Sequence, residues 1–448
     1  MKPCLVLQAV ALSAALSAHA FTAKILPGQA PRMDRTKFQV GAWGFTDHGD
    51  ADVRVKEAAD CGIDYMIGAS VYDRKALDAF AKHGVGVVVT RKNLIRWWSK
   101  DCKKPSGDAE LEAFVAELDH PAIWMLDACD EPNAKLFPEL AAFVRKVSEK
   151  APQTPAFVNL FPSYATVSEN SGSDEKSQLG TETFRDYLEA YAHEVPLDHL
   201  SYDFYLYTPN KKRRPRLVCQ MYEGFEAAAV ICRRTGRSFW YTPQVNSHPG
   251  ANPEPTTENR LRFQAYSAMA YGAESVAWAC WKHWWWTNNV LTAKGERTAQ
   301  YERLKTVNAE LHRLGPDYMR FRNVATHLVG FAGTEGLDAL SIPLPAEVSV
   351  ADVTGLKTRE GTPLAVGEMI ARKPSDGWQA LFVLPSGDMF DSEPVVRTVT
   401  FRTKSGRGIR VLTGEGEVRV AIAADGTVAF PLAENAAALI VLERKRLE

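Results

Sequence analysis

The chain lacks the signatures of several common classes of protein. No Gly-rich phosphate loop follows a strand-like segment, no Gly-x-Ser-x-Gly elbow is present, and no set of His and Asp has metal-ligand spacing. The 53 basic and 54 acidic side chains nearly cancel, so no charge excess favours nucleic acid or an anionic membrane. We therefore expect no cofactor, no metal and no nucleic-acid partner.

Cysteines are few and scattered. There are seven in 448 residues, and none forms a Cys-x-x-Cys pair, which gives a zinc site little support. Cys129 and Cys280 lie in apolar strand-like segments, where a buried thiol is the simplest interpretation. If the protein folds in an oxidising compartment, a disulfide such as Cys219–Cys232 is a further possibility.

Long apolar segments are also missing, because no stretch reaches the roughly 20 residues that a membrane-spanning helix needs. The N-terminus has a different pattern: Lys2, an apolar segment Leu5–Leu16, and then Ala18-His19-Ala20. This order is typical of a secretory signal peptide. We predict cleavage after Ala20 and a secreted or periplasmic protein without a membrane span, whose oligomeric state the sequence leaves open.

The main part of the chain alternates strand-like and helix-like segments. The apolar, strand-like segments are Phe38–Phe45, Ile63–Ala69, Val85–Thr90, Ile123–Cys129, Ala156–Phe161, Leu200–Leu206, Phe239–Val245 and Ser275–Trp281. Amphipathic helical patterns separate them, such as Tyr222–Arg234 after the sixth, and a last one, Ala299–Leu314, follows the eighth. Eight such units predict a (β/α)8 barrel over residues 21–316, and an open doubly wound sheet is the competing interpretation.

The pattern changes after Pro316. Gly, Ser and Asp turns separate short β-rich segments: Thr326–Ala332, Trp378–Pro385, Val396–Thr403, Ile409–Thr413 and Val428–Pro431. We predict that residues 317–448 form an all-β sandwich beside the barrel. The predicted fold class is therefore α/β, a TIM barrel followed by a C-terminal β-sandwich domain.

The most informative segment is the end of the fourth strand, which carries Asp127, Asp130 and Glu131 within five residues. Working groups of parallel barrels lie at the carboxyl ends of strands, whereas barrel interiors prefer branched apolar side chains. Hydrolysis of a glycosidic bond needs one carboxylic acid and a second group that stabilises the oxocarbenium-like centre. The competing interpretation is that Asp130 only caps the following helix.

Asp130-Glu131-Pro132 resembles the Asn-Glu-Pro motif of retaining TIM-barrel glycoside hydrolases such as cellulases and β-galactosidases. The surrounding segments, Asp-Glu-Pro-Asn133 and Val158-Asn159-Leu160-Phe161-Pro162, are similar to those of glycosidase-like barrels of polysaccharide-degrading bacteria. The resemblance covers about residues 38–315 and implies that Glu131 is the general acid/base. It departs from the family at strand seven, where Gln244 stands near the place of the nucleophilic Glu and cannot act as a carboxylate.

The second carboxylate is therefore expected from strand six, which reads Tyr202-Asp203. This pair resembles the Tyr-Asp pair of chitinase-type barrels, and an Asp before the acid Glu resembles β-hexosaminidases. The resemblance implies a substrate-assisted site as an alternative to direct attack by Asp203. Cys129 occupies the place of the chitinase catalytic Asp, and a buried Asp203 bonded to loop backbone is the structural alternative.

Aromatic and polar side chains complete the predicted site, because flat aromatic rings stack on the apolar faces of sugars. The predicted substrate-binding residues are Trp43, Asp127, Asn159, Tyr202, Tyr205, Gln244, Asn246, His248, Trp278 and Trp281. Other candidates are Asp47, His48, Trp97, Trp98, Lys282, His283 and the run Trp284–Trp286, which could equally fill a domain interface.

A basic run, Lys211–Arg216, follows strand six and could meet an acidic sugar, although such a run is more often a solvated loop. Taken together, the sequence predicts an exported glycoside hydrolase for a polysaccharide or glycan, with Glu131, Asp203 and Asp130 as catalytic residues. A substrate-assisted N-acetylhexosaminidase and a non-catalytic carbohydrate-binding barrel are the alternatives.

Overall fold

The computed structural model describes residues 32–45, 49–70, 73–90, 108–165, 177–250, 253–282, 286–331, 337, 340, 342, 353–373, 377–387, 390, 393–403 and 408–443. Eight parallel strands, paired in sequence order and closed from the eighth to the first, form a barrel. They are β1 (Gln39–Trp43), β2 (Tyr65–Ser70), β3 (Gly86–Thr90), β4 (Ile123–Asp130), β5 (Ala156–Leu160), β6 (His199–Phe204), β7 (Ser238–Pro243) and β8 (Ala273–Trp278). The predicted closed barrel is confirmed, and the open sheet is excluded.

A helix follows each strand of the barrel. They are α1 (Ala51–Asp60), α2 (Arg74–His83), α3 (Asp108–Glu117), α4 (Phe137–Lys150), α5 (Phe184–Glu194), α6 (Arg214–Thr235), α7 (Glu258–Ala270) and α8 (Ala299–Tyr318). Local signals set their ends: the Thr257 side chain accepts the Arg260 N–H at the start of α7, and Gly84 and Gly236 end α2 and α6 in the left-handed conformation.

Two helices differ from the sequence prediction. Helix α6 begins at Arg214 rather than near Tyr222, because Pro215 fits the first turn of a helix, where its missing N–H costs nothing. Helix α8 continues through Pro316 to Tyr318, so the helix crosses the predicted boundary between the two domains.

The inside of the barrel is closed by aromatic rings. The rings of Phe157 and His199 stack at 5.6 Å, and those of His199 and Trp240 at 4.7 Å. Side chains along β6 alternate between the two faces of the strand, so His199, Ser201 and Asp203 all point into the barrel, and His199 is fully buried. The barrel is therefore a packed core, and groups that face it can be exposed only at its mouth.

The C-terminal part is antiparallel. Its strands are β9 (Phe321–Val329), β10 (Val353–Thr358), β11 (Leu364–Ala371), β12 (Gln379–Pro385), β13 (Val396–Thr403), β14 (Ile409–Thr413), β15 (Gly416–Val418), β16 (Thr427–Ala433) and β17 (Ala438–Leu442). A sheet of β10-β13-β16 faces a sheet of β15-β14-β17-β12-β11-β9 across a shared apolar core. The predicted β-sandwich is confirmed.

The larger sheet uses its outer face to pack on the barrel. Phe382 of β12 contacts Tyr266 of α7 and Tyr318 of α8, with ring centroids 6.2 and 5.4 Å apart. Gly367 of β11 passes so close to the end of α7 that a Cβ atom there would lie 2.3 Å from the Ala270 carbonyl oxygen. The sandwich is thus joined to the bottom and side of the barrel through α7 and α8.

Five cysteines lie among the described residues, and all are buried thiols. The possible Cys219–Cys232 disulfide is wrong, because both residues lie in α6 thirteen positions apart. At a rise of 1.5 Å per residue they are separated by about 20 Å, far beyond bonding distance. No helix in the described ranges has the length and apolar character to cross a membrane.

Candidate active site

Four carboxyl groups lie at the carboxyl ends of β4 and β6. Asp127 and Asp130 belong to β4, Glu131 follows it directly, and Asp203 lies near the end of β6. Pairing between β4 and β5 shifts register between Asp127 and Cys129, and this irregularity changes which side chains turn inward. Asp203 is 3% exposed, whereas the other three carboxyl-bearing residues are half-buried, as expected for groups at a barrel mouth.

Asn159 of β5 lies between these strands and connects their carboxyl groups. Its amide Nδ2 donates to Oδ1 of Asp130 and to Oδ1 of Asp203, both at 3.2 Å. Ser201 donates to the Asn159 Oδ1 at 3.1 Å. The side chains of three adjacent strands therefore form one hydrogen-bonded network, and the predicted grouping of Asp130, Asn159 and Asp203 exists in the fold.

Asp130 does not act as the cap of the following helix. The turn after β4 is capped by Asn133, whose side chain accepts the Lys135 N–H, and α4 begins only at Phe137. The carboxyl of Asp130 instead accepts the Asn159 amide. The capping interpretation of this acidic residue is therefore wrong.

Glu131 has an unusual backbone and an unusual environment. Its φ of 51° lies in the left-handed region, which few residues other than glycine occupy, and its N–H donates to the Asn159 carbonyl at 2.8 Å. Burial, followed by the neighbouring charges of Asp203 and Asp130, raises the pKa of the Glu131 carboxyl to about 9. A carboxylic acid in this environment keeps its proton at neutral pH.

The other carboxyl groups lose their protons at lower pH than Glu131. Burial, followed by the charge of Asp130, raises the pKa of Asp203 to about 7, while a hydrogen bond with the Tyr205 hydroxyl lowers it in part. Burial raises the pKa of Asp130 to about 6 against the effect of the Asn159 amide. Burial and the charge of Asp130 raise the pKa of Asp127 to about 8, and its Oδ1 has no hydrogen-bond partner among the described residues. Glu131 therefore holds its proton to the highest pH of the four, whereas Asp130 and Asp203 ionise near neutrality.

Aromatic rings border the carboxyl groups. The half-exposed Trp43 lies above Phe157 with ring centroids 6.1 Å apart, and its Nε1 donates to the Thr242 hydroxyl at 3.4 Å. The buried Trp286, in the cluster against which Trp43 also packs, contacts Tyr205 at 5.2 Å and His248 at 4.7 Å between ring centroids. Trp43, Tyr205 and His248 therefore lie where they were predicted, at the mouth of the barrel.

Three predicted aromatic contacts lie elsewhere. Tyr202 is fully buried between the barrel and its helices, stacked on Phe239 at 5.8 Å, because its position on β6 alternates with that of Asp203. Trp278 faces α8 and donates to Asn308 Oδ1 at 2.9 Å, while Trp281 packs on Tyr301. Their placement on the outer side of the barrel does not support a contact with substrate.

Two predicted polar contacts are part of the scaffold. Gln244 is fully buried: its Oε1 accepts the Tyr207 N–H at 2.9 Å, and its Nε2 donates to the carbonyls of Tyr207 and Asn246. Asn246 is also fully buried and donates to the Cys280 carbonyl at 2.9 Å. Both amides hold the loops after β6, β7 and β8 together, which argues against a role in binding substrate.

The structure adds Tyr164, which the sequence did not single out. Its hydroxyl hydrogen-bonds the backbone of Tyr205, and burial, followed by the nearby charges of Asp203 and Glu131, raises its pKa. Tyr164 follows β5 by four residues, so the rule that working groups follow barrel strands was the available signal.

Two side chains of the basic run after β6 share one acidic partner. Lys211 and Arg214 both pair with Glu254, at 3.1 Å each, which ties the start of α6 to the segment before α7. This pairing favours a structural role for these two side chains. Asp47, His48, Trp97, Trp98, His283, Trp284 and Trp285 lie outside the described residues. Within the described part of the chain, no group of three His, Cys, Asp or Glu side chains is placed to hold a metal ion.

The chain matches no protein-family model and no curated protein. Its fold is similar to that of a GH42 β-galactosidase from G. stearothermophilus, with a TM-score of 0.56, 9% identity, and coverage of 93% of this chain and 100% of that one. It is also similar to the β-galactosidase from Rahnella sp. R3, with a TM-score of 0.52, 9% identity, and coverage of 91% and 98%. The predicted resemblance to TIM-barrel glycoside hydrolases is confirmed at the level of the fold.

Proposed function

We propose that this protein is a glycoside hydrolase in which Glu131 is the general acid/base and Asp203 is the second catalytic carboxylate. The observation that carries the proposal is the placement of the pair: Glu131, through its N–H, and Asp203, through its carboxyl, both bond Asn159 at the carboxyl ends of the barrel strands. Burial and neighbouring charge raise the pKa of Glu131 above that of Asp203. Glycosidic bond cleavage needs one protonated and one ionised carboxyl group at the same place.

The chemistry follows from these two charge states. Glu131 transfers its proton to the glycosidic oxygen as the bond between that oxygen and the anomeric carbon breaks. Asp203 attacks the anomeric carbon and forms a glycosyl ester, so the carbon's lost bond is replaced by one to a carboxylate oxygen. The glutamate then takes a proton from water, and the water oxygen displaces Asp203 to release the sugar. The result is hydrolysis with retained configuration.

The walls of the site fit a sugar ring. Trp43 offers a half-exposed aromatic ring, the buried Trp286 supports it in the same cluster, and Tyr205 adds a hydroxyl. Sugar rings combine apolar C–H faces with a rim of hydroxyl groups, which matches this mixture of aromatic and acidic side chains. The two similar structures are β-galactosidases, which supports a carbohydrate substrate such as a polysaccharide or glycan.

We also propose that the enzyme acts outside the cytoplasm. The basic, apolar and small-residue order of Lys2, Leu5–Leu16 and Ala18–Ala20 supports export after cleavage of a signal peptide. N-terminal sequencing of the protein recovered from the periplasm or medium tests this, and a mature chain that begins at Phe21 is the expected result.

The substrate-assisted alternative loses support from the placement of Tyr202. Because that side chain faces the helices, the Tyr202–Asp203 pair needed for acetamido-assisted catalysis is not assembled at the mouth. Inhibition by a thiazoline analogue would restore that alternative. The other alternative, a carbohydrate-binding barrel without catalysis, differs from the proposed enzyme because it would hydrolyse no substrate.

The test is hydrolysis of a panel of neutral polysaccharides and aryl glycosides by the wild type and by Glu131→Gln. Glu139→Gln, at an exposed position in the first turn of α4, is the matched control. We expect turnover by the wild type and the control, and a loss of about 10²–10⁴-fold in Glu131→Gln. Retention of sugars on an affinity column without any turnover would instead indicate a carbohydrate-binding barrel.

A further inference from the structure

Asn159 contacts all three acidic positions of the proposed catalytic apparatus. Its carbonyl accepts the Glu131 N–H at 2.8 Å, and its amide donates to Asp130 and Asp203 at 3.2 Å each. A side-chain amide has two N–H donors, so each carboxylate receives one and none remains for another group. With both amide protons given to the two acids, Asn159 has no side-chain donor left for a substrate hydroxyl.

Ser201 determines which end of this amide faces the acids. Its hydroxyl donates to Asn159 Oδ1 at 3.1 Å and is itself 2% exposed on β6. If the amide turned over, its oxygen would face two carboxylate oxygens and the Ser201 hydroxyl would lose this acceptor. The hydroxyl therefore favours the orientation in which both N–H groups stabilise negative charge.

We propose that Asn159 and Ser201 are a positioning pair that fixes Asp130 and Asp203 and keeps both able to ionise near neutral pH. The inference rests on the proposed function, in which Asp203 acts as the ionised partner of Glu131. It gives Asn159 a role different from the substrate contact that its position in the sequence predicted.

Such a pair is needed because the carboxyl groups of Asp130 and Asp203 lie close together. Two buried carboxyl groups that share one amide repel each other when both are charged, so without donors each would hold its proton to higher pH. The titratable groups that face them are Asp127 and Glu131 from β4 and its end, Tyr164 after β5, Tyr205 after β6, and Cys280 after β8. These groups stay unchanged when only Asn159 or Ser201 is altered.

The experiment compares the pH profile of kcat/KM for the wild type with those of Asn159→Ala, Ser201→Ala and Ser201→Thr. Ser275→Ala is the matched control, because Ser275 is a buried barrel serine on β8 that bonds Tyr65 and the Gln39 carbonyl instead of the acidic network. Loss of the donors raises the pKa of the ionising carboxylate, so the acid limb should move to higher pH. We expect a shift of about one pH unit in Asn159→Ala and a smaller one in Ser201→Ala.

Ser201→Thr keeps the hydroxyl and should return the limb toward its original position, and Ser275→Ala should leave it unmoved. An acid limb that does not move in either Asn159→Ala or Ser201→Ala overturns the inference. ¹³C-NMR titration of the Asp carboxyl carbons gives a second readout that needs no turnover. If the wild type hydrolyses nothing, the proposed function fails; raised titration midpoints in Asn159→Ala would still support the positioning pair, and unchanged midpoints would overturn it.

Discussion

The Glu131 N–H donates to the carbonyl of Asn159 on the neighbouring strand at 2.8 Å, while the Glu131 backbone has a φ of 51°. This bond holds the first residue after β4 in a conformation that a β-strand would not continue. It turns the glutamate out of the strand and toward the other acids. The position of the proposed proton donor is therefore set by the backbone as well as by its side chain.

The pH profile of activity should be bell-shaped with its maximum between about pH 7 and 9. Asp203 must lose its proton, and its pKa is raised to about 7, whereas Glu131 must keep its proton, and its pKa is raised to about 9. The two limbs are properties of the coupled acids rather than of one residue each. Initial rates of kcat/KM from pH 5 to 10 measure the profile. A maximum near pH 5 would contradict these charge states.

Replacement of Asp203 should separate its role from that of Glu131. In Asp203→Gly we expect almost no hydrolysis, and partial rescue by azide, because the small anion can occupy the place of the lost carboxylate and attack the anomeric carbon. The glycosyl azide formed should have the configuration opposite to that of the substrate, as ¹H NMR would show. Asp203→Asn, which preserves the volume of the side chain, controls for misfolding by circular dichroism. Absence of rescue together with inverted hydrolysis products in the wild type would assign Asp203 to a base instead.

Asp127→Asn should stabilise the protein at pH 8 and have little effect at pH 4. The folded-state pKa of Asp127, about 8, lies above the usual value of 3.8, so the folded protein binds a proton that the unfolded chain releases. Its contribution to stability is complete below the unfolded pKa and is lost as pH rises through the folded one. The amide introduced by Asp127→Asn does not ionise, so the variant does not lose stability in this way as pH rises. We expect its free energy of unfolding at pH 8 to be about 1–3 kcal/mol higher than that of the wild type.

Urea unfolding at the two pH values measures this difference. Asp119→Asn is the control, since its side chain is 89% exposed, and it should show no such pH-dependent gain. A destabilised Asp127→Asn at pH 8 would mean that this carboxylate is charged and stabilised by a partner.

Trp43 and Trp278 should respond to substitution in opposite ways. Trp43→Ala removes a half-exposed ring at the mouth, so KM should rise about 10-fold with little change in stability. Trp278→Ala removes a fully buried ring that bonds Asn308, and should cost about 3–5 kcal/mol of stability. Steady-state kinetics and thermal melting separate the two effects. A rise in KM for a folded Trp278→Phe, with no change for Trp43→Ala, would reverse this assignment.

The fold could be predicted because its signals are local and repeated. Each barrel strand is a short apolar segment, and residues such as Gly84 and Gly236 end helices directly before strands. The same reasoning identified Glu131 and Asp203, since both stand at the carboxyl ends of strands. Strands β10, β11, β15 and β17 were not singled out, because in a sandwich the pairing of distant segments, rather than local pattern, defines a strand.

The direction in which a side chain points was the part that sequence could not give. Tyr202 and Asp203 are adjacent, yet alternation along β6 sends one to the helices and the other into the barrel. Gln244 was predicted to bind substrate, but its side-chain amide hydrogen-bonds backbone groups of two loops. Such loop contacts depend on tertiary packing, which no spacing in the sequence encodes.

The dependence of the rate on the leaving group tests the role of Glu131 most directly. Aryl glycosides whose phenols differ in pKa should be hydrolysed by the wild type and by Glu131→Gln, with kcat/KM measured for each. If Glu131 donates the proton, the variant should lose about 10²–10⁴-fold on phenols of high pKa and almost nothing on phenols acidic enough to leave unaided. The same loss for every leaving group would contradict proton donation by Glu131.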